Sequence, residues 1–69
     1  MTVDDKIFYH RKRLGLTQKQ LANYLKCSVQ MIRRYESGRM FPNLHRSILL
    51  SKLFNIPIEE LDSQGGDEL

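Results

Sequence analysis

TQKQLANYLKCSVQMIRRYESG, residues Thr17–Gly38, is the stretch whose reading decides the fold. Thr17 followed by Gln20 three residues on is a capping box, in which each side chain satisfies a backbone donor left open by the first helical turn. Leu21, Ala22 and Leu25 then fall on one side of a helix. Ser28 offers a second N-cap, and behind it Ile32 and Tyr35 stand three apart on one face of a second helix. Gly38 closes that helix, since glycine takes a left-handed turn without steric cost. The stripe of Ile32 and Tyr35 leaves Ser28, Val29, Gln30, Arg33 and Arg34 pointing outward.

Two short helices with three residues between them make a helix-turn-helix. The wider run LGLTQKQLANYLKCSVQMIRRYESGRMFPN, with NIPIEEL after it, resembles the Cro/repressor (XRE-like) helix-turn-helix family of phage and bacterial regulators. The residues that carry the resemblance are Leu16-Thr17-Gln18, Leu21-Ala22, Ile32, Glu36-x-Gly38 and Pro42, and it covers residues 3–61. It implies a lambda repressor-like domain whose second helix lies in the major groove of DNA. It also implies base contacts from the positions of Val29, Gln30 and Arg34. Gln suits adenine, Arg suits guanine, and a small apolar residue meets a thymine methyl. Gln18, at the start of the first helix of the motif, is implied as a phosphate contact, as free N–H groups and the helix dipole favour.

The resemblance further implies an ion pair between Arg11 and Glu36. Such a pair would tie the first helix of the chain to the end of the recognition helix and leave guanidinium donors for a phosphate. At three positions the chain departs from the usual family residue. Lys26 stands where Gly is common, so either the Lys is left-handed with a strain of about 1 kcal/mol or the turn differs slightly. Val29 stands where a polar residue is common. Cys27 takes the place of a small apolar residue between the helices and reads as core filler.

Outside the motif, a helix is expected over about Asp4 to Leu14. Its carboxylates Asp4 and Asp5 lead, and Arg11, Lys12 and Arg13 trail, as the helix dipole favours. Val3, Ile7 and Leu14 form its inward stripe, with His10 on the same side; Phe8 and Tyr9 cannot both face inward. After the loop of residues 39–42, Asn43 caps a helix whose Leu44, Ile48, Leu49 (or Leu50) and Phe54 read as core. Pro57 restarts the chain, and Ile58 to Asp62 form a short fifth helix with Leu61 inward. The expected architecture is all-α, five short helices, with residues 1–62 as the domain and residues 63–69 as a flexible polar tail.

At 69 residues the chain is one small domain. A single Cys excludes an internal disulfide and fits a reducing cytoplasm. No apolar run approaches the roughly 18 residues of a membrane span, and the first residues lack the basic-then-apolar pattern of a signal peptide, so no secretory route is expected. His10 and His45 have no ligand partners at metal spacing, no nucleophile–base constellation stands out, and Glu59-Glu60 reads as the exposed start of the fifth helix. Neither a catalytic centre, a metal nor a cofactor is expected.

The net charge of +3 is unevenly spread. Residues 1–39 carry nine Lys and Arg against Asp4, Asp5 and Glu36, a balance of +6, while residues 40–69 carry −3. The positive half is the half with the motif, as a polyanion binder needs.

The expectation is therefore a regulator, a repressor by occupancy, that reads a double-stranded DNA operator. Ser28, Val29, Gln30, Arg33 and Arg34 are its candidate base contacts, with Arg33 equally suited to a phosphate; Gln18, Ser37, Arg39 and Asn43 are its candidate phosphate contacts. One recognition helix reads few base pairs, so a homodimer is expected, joined through the fourth and fifth helices and the tail. The rival is a protein-interaction module on the same fold, an antirepressor or antitoxin, with Met31, Met40 and Phe41 as the adhesive residues.

Overall fold

Every α-helix among the described residues starts on a polar side chain and is closed by a residue with positive φ. A computed structural model describes residues 1–61, which form α1 (Val3–Arg13), α2 (Gln18–Leu25), α3 (Val29–Glu36) and α4 (Leu44–Phe54), then a 3₁₀ helix over Ile58–Leu61. Thr2, Thr17, Ser28 and Asn43 are the N-caps, each accepting the backbone N–H three residues on. Each such cap is worth about 1 kcal/mol. At Thr17 the box is complete, with the Thr17 N–H donating back to Gln20 Oε1 at 2.9 Å.

At the other ends, the N–H groups of Leu16, Cys27, Arg39 and Ile56 reach back to the carbonyls of Arg11, Ala22, Arg34 and Ser51. This is the Schellman closure, and it needs a left-handed residue just before the donor. Gly15, Lys26, Gly38 and Asn55 fill that position, with φ of 73°, 58°, 79° and 58°. Of the two alternatives for Lys26, the left-handed one is thus found.

The core is built from Ile7 of α1, Leu21, Ala22 and Leu25 of α2, Ile32 and Tyr35 of α3, Leu50 and Phe54 of α4, and Leu61. Fully burying a side chain of this size contributes about 1.5–3 kcal/mol. α1 packs on α3 and on the 3₁₀ helix, while α2 packs on α3 and α4. Cys27 is half-buried against the core, as expected of filler, and burial pushes its thiol pKa up while Arg46 pulls against the shift.

Several expectations need correction. The fifth helix is a single 3₁₀ turn, in which the Glu60 N–H reaches the Pro57 carbonyl at 3.0 Å, so there are four α-helices and not five among the described residues. Asp62, its expected last residue, and the tail of residues 63–69 lie outside the described residues. Leu14 caps α1 and stays exposed, because the buried face of that helix is Ile7 and Arg11, one turn apart. The same face turns both Phe8 and Tyr9 outward.

In α4 the buried side is Ser47, Leu50 and Phe54, whereas Leu44 is 70% and Ile48 38% exposed. Of the expected stripe, Phe54 and Leu50, the alternative to Leu49, are buried, while Leu44 and Ile48 are not. Ser47 tolerates burial because its hydroxyl donates to the Pro42 carbonyl at 3.4 Å.

Candidate nucleic-acid interface

α3 is only 8 residues long, and its two sides differ in kind. Ile32 and Tyr35 are buried, and the Tyr35 hydroxyl accepts from Arg46 Nη1 at 3.1 Å. About 100° per residue then turns Gln30, Arg33 and Arg34 to the solvent side, where all three are exposed. Ser28 is exposed too, and its Oγ accepts the Met31 N–H at 3.1 Å, which leaves the hydroxyl proton for an outside acceptor. Val29 departs from the expectation: it is half-buried and packs against the core, at the edge of the exposed stripe. The Arg34 side chain makes no hydrogen bond or ion pair among the described residues.

Behind this face lies the expected ion pair. Arg11 Nε and Nη2 grip Glu36 Oε2 and Oε1 at 2.5 and 3.0 Å, a fork-to-fork pair with side chains 8% and 7% exposed. Arg11 Nη1 donates to the Leu16 carbonyl at 2.9 Å, and the Phe8 ring lies 5.4 Å from the guanidinium carbon. Each guanidinium nitrogen is thus engaged inside the protein. Three of the five guanidinium N–H donors are used in this way, which leaves one on Nη1 and one on Nη2, beside a cleft that Arg11 lines, for an outside acceptor.

Gln18 extends the clamp outward. Its Nε2 donates to Glu36 Oε1 at 3.1 Å and its Oε1 accepts from Arg33 Nε at 3.4 Å. The side chain therefore faces the clamp and Arg33. The backbone N–H groups of Gln18 and Lys19 have no partner among the described residues. They adjoin a cleft lined by Arg11, Lys12, Gly15, Leu16 and Thr17, and a helix start of this kind favours an anion.

Beyond α3, Arg39 is exposed and makes no side-chain bond among the described residues. The Ser37 hydroxyl donates to the Arg34 carbonyl at 3.2 Å, so a phosphate would have to displace that bond. Asn43 uses Oδ1 to cap α4 and keeps its amide N–H groups for another acceptor.

A second polar cluster holds the far side of the molecule, and no spacing in the sequence announced it. The His10 ring stacks on Phe54 at 5.2 Å, while Arg13 donates through Nε to His10 Nδ1 at 3.2 Å and through Nη2 to the Phe54 carbonyl at 3.0 Å. Burial first, then Arg13 and Lys6, lower the His10 pKa, with Glu60 opposing. A ring that accepts from Arg13 is structural. Among the described residues no group of three His, Cys, Asp or Glu stands close enough to hold a metal, and no helix is long and apolar enough to cross a membrane. Of the three adhesive residues expected of a protein-binding module, Met31 is half-buried, while Met40 and Phe41 are exposed.

Comparison with known proteins adds to this geometry. Residues 7–61 match the helix-turn-helix family model. The whole chain aligns at 39% identity with 33% of the HTH-type transcriptional activator BcrR of Enterococcus faecalis. Over 93% of the chain, identity is 34% with an uncharacterised HTH-type transcriptional regulator of Methanocaldococcus jannaschii, 97% of which is covered. Over 88% of the chain, identity is 28% with the cryptic phage CTXphi transcriptional repressor RstR of Vibrio cholerae, 54% of which is covered. The chain thus spans about a third of the activator, about half of the repressor and nearly all of the archaeal protein. With the family model matched over most of its length and a helix-turn-helix at α2 and α3, the chain belongs to the Cro/repressor-type helix-turn-helix family.

Proposed function

We propose that this chain is a sequence-reading DNA-binding domain of a transcriptional regulator, and that two copies occupy a near-palindromic operator. The observation that carries the reading is the solvent face of α3, where Arg34 is exposed with no partner among the described residues, beside Gln30 and Arg33. A guanidinium and an amide on one helix face suit guanine and adenine edges in the major groove, with Ser28 and the edge of Val29 at the start of the same helix. Gln18 through its backbone N–H, Arg39 and Asn43 hold phosphates on either side, with Ser37 available where its bond to Arg34 is exchanged.

One recognition helix covers too few base pairs for useful specificity, so a homodimer is part of the proposal. Leu44 and Ile48, one turn apart and exposed on α4, support a contact through that side, together with the 3₁₀ helix and the tail. Occupancy of the operator needs no cofactor and no catalysis. It acts in the cytoplasm as repression when the operator overlaps a promoter.

The test is selection of bound duplexes from random DNA, then titration of selected and scrambled duplexes at several salt concentrations. Arg34→Ala should cost about 1–3 kcal/mol on the selected site and flatten preference at one base position per half-site. Arg39→Ala should weaken every sequence alike and lower the slope of log affinity against log salt by about 0.9. Equal binding of the wild type to both duplexes overturns the reading. A reporter with the selected site at a promoter gives the sign of regulation.

The exposed Met40 and Phe41 favour a second reading, a module that binds a protein. It predicts feeble duplex affinity and loss of a protein complex in Phe41→Ala.

A further inference from the structure

We infer that Gln18 is a positioning residue for base recognition: it carries the orientation of the buried Arg11–Glu36 pair out to Arg33 and aims that guanidinium at a base edge. The inference rests on the DNA-binding reading above. Three contacts in series support it, running from Arg11 to Glu36, from Glu36 to Gln18 and from Gln18 to Arg33.

The orientation of the Gln18 amide is set by chemistry. The Glu36 carboxylate can only accept, so it faces the amide NH₂; the Arg33 guanidinium can only donate, so it faces the amide oxygen. Flipping the amide would set a carbonyl against a carboxylate and an NH₂ against a guanidinium. Glu36 is itself immobile, because Arg11 grips both of its oxygens. Gln18 therefore presents one neutral acceptor at a fixed point on the rim of the interface.

Arg33 meets that point with Nε, at 3.4 Å. Its two terminal NH₂ groups remain without partners among the described residues. Using Nε to hold the side chain leaves the planar end of the fork for the paired acceptors of guanine. An unsupported Arg on an exposed helix face has several rotamers of similar energy and serves a phosphate as readily as a base. In this chain Val29 sits against the core and offers no polar group to compete for Gln18. The acceptor is left to Arg33.

The experiment is a double-mutant cycle on the selected duplex, with the full chain and the variants Gln18→Met, Arg33→Ala and the pair. Gln18→Met keeps the length and packing of the side chain and removes both polar ends. If Gln18 acts through Arg33, Gln18→Met should relax preference at the same base position as Arg33→Ala, leave the salt slope unchanged, and lose most of its effect once Arg33 is gone. The coupling should exceed about threefold in affinity, where independent sites agree within about twofold.

An additive cycle, a uniform loss on selected and scrambled duplexes, or a reduced salt slope would make Gln18 a plain phosphate contact and overturn the inference while the DNA reading stands. Wild-type binding that ignores sequence overturns both. Thermal unfolding of Gln18→Met separates aim from folding: a variant as stable as the wild type that has lost preference at that position supports the inference. A variant whose altered binding vanishes when compared at equal folded fraction refutes it.

Discussion

α3 and α4 are subject to the same spacing rule, and each obeys it in part: Val29 of α3 turns toward the core, while Leu44 and Ile48 of α4 turn away from it. α3 carries Val29, Met31, Ile32 and Tyr35 in 8 residues, with the charged Arg33 and Arg34 marking its outer side, and the structure buries Ile32 and Tyr35 with Val29 and Met31 half-buried beside them. α4 carries Leu44, Ile48, Leu49, Leu50, Leu53 and Phe54 in 11 residues, more apolar surface than one face can bury. Helical spacing then accommodates several stripes, and the structure chose the one through Ser47, Leu50 and Phe54. Periodicity locates a face when charged residues such as Arg33 and Arg34 mark the opposite side. Where apolar residues fall on several sides, as in α4, the neighbours decide.

The sharpest way to test the α3 side of this contrast is its clamp. Replacing either Arg11 or Glu36 with a neutral residue leaves the other charge buried without a partner, which should cost about 3–5 kcal/mol in urea unfolding. Arg11→Met with Glu36→Leu should cost less than the two single changes together, since no orphan charge remains. Strict additivity would mean that the two charges do not act as a pair.

On the α4 side, Leu50→Ala should destabilise by about 2–5 kcal/mol, as deletion of a fully buried Leu does. Leu44→Ala should fall within about 0.5 kcal/mol at a protein concentration where the chain is monomeric. The reverse order in urea unfolding would contradict the burial of Leu50 and the exposure of Leu44.

The helix ends offer a finer comparison, because α2 and α4 both close on a non-glycine left-handed residue. Lys26→Gly should stabilise by up to about 1 kcal/mol, since it removes a Cβ from that conformation. Asn55→Gly should gain less, because Asn accepts the left-handed region more readily than Lys. A clear loss of thermal stability in Lys26→Gly would contradict the turn geometry.

The smallest effect belongs to His10, which ties α1 to the end of α4. Its folded pKa is lowered by burial and by Arg13, so the unfolded chain takes up the proton more readily. The associated stability is present above the unfolded pKa of about 6.5 and is lost as pH falls through the folded value. Wild type should lose more stability than His10→Phe between about pH 7.5 and about pH 5. Equal losses would show that His10 binds its proton alike in the folded and the unfolded chain, contrary to the lowered pKa.

Much of the candidate site was legible in the residues. Ser28 followed by Ile32 and Tyr35 gives a start and an inward face, and on a helix that alone sends Gln30, Arg33 and Arg34 outward. Thr17 with Gln20, and Asn43 before α4, mark starts because short polar side chains satisfy open N–H groups locally. The Arg11–Glu36 pair came from resemblance and not from spacing. The caps at Thr2, Gly15 and Asn55 were overlooked although Thr, Gly and Asn are the usual residues for such ends.

What local chemistry determines, the sequence by itself determined: where helices begin and end, and which face of α3 turns inward, opposite Arg33 and Arg34. Tertiary structure alone decided which of several apolar faces of α4 is buried, that Phe8 and Tyr9 both face water, and that Gln18 joins Glu36 to Arg33 across 18 and 15 residues of chain. The physical reason is range. Capping and turn preferences act over three to five residues and are written in neighbouring letters. Burial and side-chain networks depend on which helices meet, and that is settled only when all four pack around Ile7, Leu21, Ile32 and Leu50.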